Sequence, residues 1–149
     1  MIYSRNGFNL TKQFESCRLV AYPDPGTGGV PWSIGWGHAG SDVHEGMTIT
    51  QQQADLYLAE DVQKAVDTVN AKVHTDLTQN EFDALVDFVF NVGAGRFNGS
   101  TLLKCINEND MEGAARQFDR WDQADGRVLA GLVRRRQAET QEFLGKLNG

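Results

Sequence analysis

The sequence predicts an α+β fold, mainly helical, in which a small N-terminal β-hairpin lobe and a helical C-terminal lobe flank a cleft. Two short runs rich in β-branched and aromatic residues, 19–22 (LVAY) and 32–36 (WSIGW), bracket a Pro- and Gly-dense loop at 23–31, the pattern of a hairpin. Beyond Thr50 apolar residues recur at intervals of three or four, broken by capping patterns, the mark of amphipathic helices. With 149 residues, 40% of them apolar and only three prolines, the chain reads as one folded domain over 1–149, long enough to bury a core without staples.

Ser4 or Asn6 can cap a first helix running toward Phe14 and Glu15 and ending near Ser16, with Leu10 and Phe14 on one face. The hairpin follows, open to extension by a third strand, and is the one β region expected. Thr50 with Gln53 forms a capping-box pattern. From there Ala54, Leu58, Val62, Ala65 and Val69 line one side of a helix to about Asn70. Its other side, with Asp55, Asp61, Lys64 and Asp67, should face water. Thr78 with Glu81 repeats the signal. Phe82, Leu85, Val86, Phe88, Val89, Phe90 and Val92 then leave that helix no wet side before Gly93 ends it, so it belongs inside a core. Shorter helices are expected over 100–108 and 110–120, and a last one over 129–147. The first helix and the hairpin would make up the first lobe, the helix after Thr50 the connection, and the later helices the second lobe.

Fourteen Lys and Arg against twenty Asp and Glu give a net charge of −6. That argues against a broad phosphate-binding face. Four arginines, Arg127, Arg134, Arg135 and Arg136, stand in one stretch without an acidic residue, either a solvated helix face with some carboxylate pairing or a site for an anion. Cys17 and Cys105 lie far apart and outside any metal spacing, so two packed free thiols are expected rather than a disulfide or a zinc site. Residues 1–15 lack the apolar run of a secretory signal, and no stretch of about 18 apolar residues occurs. The expectation is a protein made and kept in a cytoplasm.

Glu15 stands at the end of the predicted first helix and Asp24 within the loop of the predicted hairpin, two different neighbouring elements. Carboxylates so placed can face each other across a groove, which is what glycoside hydrolysis requires: one protonated acid for the leaving oxygen and one ionised partner for water or sugar. The acid of such a pair needs partial burial and its partner a polar setting. Glu15 follows Phe14 on a helix with an apolar face to cover, and Asp24 sits among Pro, Gly and Thr. On spacing alone the plainer reading, a surface Glu and a turn-forming Asp, is the favoured one.

The segments 12–24 (KQFESCRLVAYPD) and 31–40 (PWSIGWGHAG) are similar to the active-site segment of the phage-type lysozymes, the endolysin muramidases of glycoside hydrolase family 24. The similarity continues in family order through 77–93 (LTQNEFDALVDFVFNVG), 97–103 (FNGSTLL) and 131–136 (GLVRRR), so it covers essentially the whole chain. It implies a lysozyme-like fold. The family motif is a Glu, eight residues, an Asp or Cys, five residues and a Thr. Glu15 and Asp24 match its first two positions, which implies that Glu15 is the general acid and that Asp24 places and deprotonates the attacking water. The third position departs: Val30 stands at the family spacing, and the residue in the matching Trp-Thr-Ile-Gly context is Ser33, beyond an enlarged Gly-Thr-Gly-Gly loop. Serine keeps the hydroxyl that holds a water and loses the methyl that restricts its rotamer. Thr27 is the alternative if the longer loop folds inward.

The resemblance further implies substrate contacts at His38, Phe90, Ser100 and Gln117. Each has a plainer reading: a structural histidine, a core phenylalanine, a helix cap and a surface residue. Trp32 and Trp36, alternating in a strand, read as packing. Family members place an arginine beside the first acidic residue, which makes Arg134, Arg135 or Arg136 a candidate neighbour of Glu15.

The function so implied is cleavage of the β-1,4 bond between N-acetylmuramic acid and N-acetylglucosamine in peptidoglycan. Inversion is implied too, with the carboxyl groups at roughly 6.5–9.5 Å rather than the roughly 5–5.5 Å of a retaining enzyme. The partner is the peptidoglycan glycan strand. No metal or organic cofactor, no nucleic acid and no stable membrane insertion are expected, and the chain should be a monomer, held in the host cytoplasm until lysis and then reaching the periplasm and wall. Two competing readings are a lytic transglycosylase, in which one Glu suffices and the sugar's own hydroxyl attacks, and a non-catalytic peptidoglycan-binding module. The presence of both carboxylates speaks against the last.

Overall fold

A computed structural model describes residues 1–145. Residues Glu15–Gln63 form one compact unit, and Met1–Phe14 with the chain from Lys64 onward form a second. In the first, β1 (Arg18–Tyr22), β2 (Ser33–Gly35) and β3 (His38–Ala39) make an antiparallel sheet in that order, the expected hairpin extended by a third strand. Tyr22 pairs with Ser33 and Arg18 with Gly35, with an irregularity between them. The outer edge of β1 is not left open: Ala21 N–H donates to the Met47 carbonyl at 2.9 Å and Ile49 N–H to that of Leu19 at 3.0 Å.

Helix α2 (Gln51–Lys72) opens with the reciprocal bonds its sequence announces, Gln53 N–H to Thr50 Oγ1 at 3.1 Å and Thr50 N–H to Gln53 Oε1 at 2.8 Å. Ala54, Leu58 and Val62 from α2 are buried, as are Ile34 and Val43. Gly35, at φ +65°, lies so close to α2 that a Cβ there would sit 3.3 Å from Ala54 Cβ. The expected wet side of α2 is only partly wet. Lys64 and Asp67 are exposed, but Asp55 and Asp61 are half-buried because the hairpin brings Trp36 and His38 onto them.

In the second unit α1 (Arg5–Phe14) is capped by Ser4, whose Oγ accepts from Gly7 N–H at 3.2 Å. The sequence placed this helix with the hairpin; it belongs instead to the helical unit. The reason is polar. Helix α3 (Gln79–Val92) is buried from Phe82 through Val89, Asp83 and Asp87 included, and buried carboxylates require donors. Ser4 supplies Asp83 through its N–H (3.2 Å) and its hydroxyl, and Thr11 Oγ1 donates to Asp87 Oδ1 at 2.8 Å. The capping box of α3 at Thr78 and Glu81 is present, and Gly93 at φ +95° ends the helix.

Phe88 of α3 meets Phe97, Phe118 and Trp121 edge-on, at centroid distances of 6.3, 5.5 and 5.5 Å. Those partners come from α4 (Ala94–Asn98), which the sequence reading missed, and from a 3-10 turn, Phe118–Trp121. The turn replaces the last part of the helix expected over 110–120. Helices α5 (Thr101–Asn107) and α6 (Met111–Gln117) lie between them. A second hairpin, β4 (Gln123–Ala124) with β5 (Arg127–Val128), was also not expected. Its two-residue turn, Asp125-Gly126, has φ +52° and +74°, as the Asp-Gly preference of tight hairpins requires.

Helix α7 runs Ala130–Phe143 and ends there rather than at Leu147, with Leu144 as its C-cap and Gly145 at φ +73°; positions 146 and 147 of the expected helix lie outside the described residues. Its arginines are not one solvated face. Arg134 is exposed, whereas Arg135 and Arg136 are buried. Arg135 donates to both oxygens of Asp87, at 3.0 and 2.8 Å, and Arg136 Nη2 donates to Asn91 Oδ1 at 2.8 Å and Glu139 Oε2 at 3.0 Å. Burial together with a hydrogen bond to Asp87 holds the Glu139 carboxyl well above the usual range. Burial also pushes Asp87 upward, but its bonds to Glu139, Arg135 and Thr11 outweigh that and hold it low. Cys17 and Cys105 are free and half-buried.

Candidate active site

Asp24 organises the loop that follows β1. Its Oδ2 accepts from Gly26 N–H and Thr27 N–H, both at 3.1 Å. Its main-chain N–H donates to the Gly29 carbonyl (2.9 Å), and its carbonyl accepts from Gly28 N–H at 2.8 Å. Gly28, at φ +70°, makes the bend. Among the described residues the other carboxylate oxygen, Oδ1, carries no hydrogen bond.

The two hydroxyls that compete for the third motif position are used differently. Thr27 Oγ1 donates to the Val30 carbonyl at 2.7 Å and accepts from Gly29 N–H at 3.2 Å, so the enlarged loop consumes it. Ser33 is half-buried, and its side chain has no hydrogen-bond partner among the described residues. It stands opposite Tyr22, two residues before Asp24, on the facing strand. Glu15 follows the last residue of α1 and is half-buried. Its Oε2 lies 3.7 Å from where a Cβ on Gly37 would project, at φ +90° in the β2–β3 turn. Glu15, Asp24, Ser33 and Thr27 therefore all belong to the unit Glu15–Gln63.

His38 is in this unit as well, but both its ring nitrogens are taken: Nδ1 by Asp61 Oδ2 at 2.8 Å and Nε2 by Asp42 Oδ2 at 2.9 Å. The ring stacks on Tyr57, with centroids 4.2 Å apart and an 8° interplanar angle. Burial works against the imidazolium, but the bonds to Asp42 and Asp61 prevail and hold the His38 pKa above its ordinary value. The hydrogen bond to His38 in turn draws the Asp42 pKa down. The sequence pattern does not mark Asp42 or Tyr57, and it marks Asp61 only as part of a wet helix side. Asp42, four residues after His38, was the available signal.

The remaining expected contacts lie in the helical unit. Phe90 and Gln117 are half-buried near the ends of α3 and α6. Ser100 is buried at the N-cap of α5, its Oγ accepting from Leu103 N–H at 3.0 Å and donating to the Phe97 carbonyl at 2.7 Å. Trp36 packs toward α2 and donates from Nε1 to Asp55 Oδ1 at 2.8 Å. Among the described residues no group of His, Cys, Asp and Glu is arranged to hold a metal ion, and no helix is long and apolar enough to cross a membrane.

The family model described as phage lysozyme matches residues 12–139. The chain is 43% identical over 144 residues to the endolysin of Bacillus phage B103, covering 97% of this chain and 54% of that protein. It is 38% identical over 148 residues to the endolysin of Salmonella phage P22, covering 97% and 99%. Among solved structures it is similar to the muramidase domain of SpmX from Asticaccaulis excentricus, with 42% identity, a TM-score of 0.87 and coverage of 96% and 97%. The chain spans about half the length of the two Bacillus phage relatives it matches.

Proposed function

The chain belongs to the phage lysozyme family, and from that membership we propose that it is an endolysin: a muramidase that hydrolyses the β-1,4 bond between N-acetylmuramic acid and N-acetylglucosamine in peptidoglycan. Glu15 donates its proton to the glycosidic oxygen as the bond to the anomeric carbon breaks. Asp24 takes a proton from a water whose oxygen joins that carbon from the opposite face, so the product is inverted. Ser33 holds the same water. The observation that carries this division of labour is the contrast in the loop: Asp24 Oδ1 and the Ser33 hydroxyl are unengaged among the described residues, while Thr27 is spent on the loop itself. Family membership further supports Phe90, Ser100 and Gln117 as proposed substrate contacts. The protein acts as a monomer on glycan strands and accumulates in the host cytoplasm until lysis.

The test is clearing of permeabilised Gram-negative cells, with analysis of the released muropeptides. Glu15→Gln and Asp24→Asn should each lower the rate by at least about a hundredfold, the contribution of a positioned acid or base. Ser33→Ala should lower it about tenfold, for the loss of one transition-state hydrogen bond worth about 1.4 kcal/mol, and Thr27→Val should act on loop stability rather than on rate. Rates indistinguishable from wild type in the first two variants would remove the assignment. A dominant anhydro-muramyl product would replace hydrolysis with transglycosylation.

A further inference from the structure

We propose that His38 is a positioning residue for the cleavage reaction: held between Asp42 and Asp61 and stacked on Tyr57, it fastens β3 to α2 and thereby fixes where β2 presents the Ser33 hydroxyl. The inference rests on the assignment of Ser33 to the water.

Strand β3 has only two residues, His38 and Ala39, and they pair with Ile34 and Ser33 respectively. So short a strand has too few ladder bonds to hold a register by itself. The hairpin is anchored by a row of contacts with α2: Gly35 at the end of β2 against Ala54, Trp36 Nε1 of the turn on Asp55, and His38 of β3 on Tyr57 and Asp61. Positions 54, 57 and 61 follow the three- and four-residue spacing of one helix side. Ile34, directly opposite His38, is fully buried, so its side of the strand is also locked. Ser33 has no side-chain anchor among the described residues. Its position comes from the strand alone, and the strand's from its neighbours.

The clamp is built for a charged ring. A neutral imidazole donates from one nitrogen only and would turn a lone pair toward the second carboxylate; the imidazolium donates from both. The titratable groups facing the ring are Asp42 from the loop after β3 and Asp61 and Tyr57 from α2. The next acidic residue on that side of α2, Asp55, is engaged by Trp36. Loss of the ring's second proton opens one half of the clamp and loosens β3.

The test measures kcat and KM for hydrolysis of purified peptidoglycan from about pH 5 to 9, the range in which histidine titrates, well below the unfolding temperature. The proteins are the wild type, Asp61→Asn, Asp42→Asn, Ser33→Ala and the double variant Asp61→Asn with Ser33→Ala. The His38 titration is followed in parallel by NMR. In the wild type one step in kcat on the alkaline limb should share its midpoint with His38. Asp61→Asn should move both midpoints to lower pH and reduce kcat severalfold with KM nearly unchanged, and Asp42→Asn, at the exposed end of the clamp, should do the same more weakly. In the Ser33→Ala background the Asp61 substitution should cost nothing further in kcat. A purely structural role would lower the melting temperature and leave the kcat profile unmoved. That result, or full additivity of the two substitutions, would overturn the inference while leaving the muramidase reading intact. An inactive wild type would overturn both.

Discussion

Replacing Asp87 with alanine removes the acceptor around which the buried polar cluster of the helical unit is arranged. The carboxylate is fully buried and, beside its bond to Glu139, accepts from Thr11 Oγ1 at 2.8 Å, Arg135 Nε at 3.0 Å and Arg135 Nη2 at 2.8 Å. At about 1.5–3 kcal/mol for each hydrogen bond to a charged group, simple addition gives roughly 5–9 kcal/mol. That sum is too large, because Arg135 has a second carboxylate within reach: Glu139 Oε2 lies 3.9 Å from its Nε, and Glu139 can ionise once Asp87 is gone. The expected cost is that of breaking a buried ion pair, about 3–5 kcal/mol. A domain of this size loses about 2–4 °C of melting temperature per kcal/mol, so the transition should fall by about 6–20 °C. Urea titration and thermal melting at neutral pH measure both quantities. A loss below about 1 kcal/mol, with the transition still cooperative, would refute the claim that this pair supports the unit.

The same cluster sets a dependence on pH. Because Asp87 is held low, its contribution is present above the unfolded carboxylate value and is lost as pH falls through the folded one. Glu139 has the opposite sign: held high by burial, it contributes fully below its unfolded value and loses that contribution as pH rises through the folded one. Glu139→Gln should therefore flatten the alkaline side of the stability profile in urea titrations, and an unchanged slope would contradict the sign. Phe88→Ala, which empties the centre of the edge-on aromatic group, should cost about 3–5 kcal/mol by denaturant titration. Thr78→Ala should cost about 1 kcal/mol through loss of the α3 cap. Gly126→Ala, at φ +74°, should cost about 1–2 kcal/mol in the same assay.

The long helices were legible because their signals are local. Thr50 with Gln53 and Thr78 with Glu81 mark helix starts whatever the rest of the chain does. The membership of α1 was not legible, since it depends on Ser4 and Thr11 finding Asp83 and Asp87, some 80 positions away in sequence. For the arginine run the relevant pattern was present but faint: Glu139 lies three residues after Arg136 and four after Arg135, while the decisive partner, Asp87, sits on another helix. Strands β4 and β5 have two exposed residues each and no alternation to detect; only their Asp-Gly turn could have revealed them. At the candidate site the Glu15 and Asp24 spacing was visible from the start. The proposed preference for Ser33 over Thr27 was not, because it turns on which hydroxyl the closed loop uses up, and loop closure brings together backbone groups that no side-chain pattern announces. The carboxylates around His38 were hidden for a related reason. Asp61 was read as part of a solvated face, which is correct for an isolated helix and incorrect once the hairpin lies on it.

The carboxylate proposed to accept the water's proton is also the peg on which its own loop hangs, with one oxygen turned inward to two amides. Any exchange at position 24 therefore changes a shape along with a charge. A cysteine there would grip those amides poorly, because sulfur is a weak acceptor, so the loop has little freedom to trade its acid. Engineering of the bend should proceed by first supplying a substitute tether for Gly26 and Thr27, and only afterwards altering the acid itself.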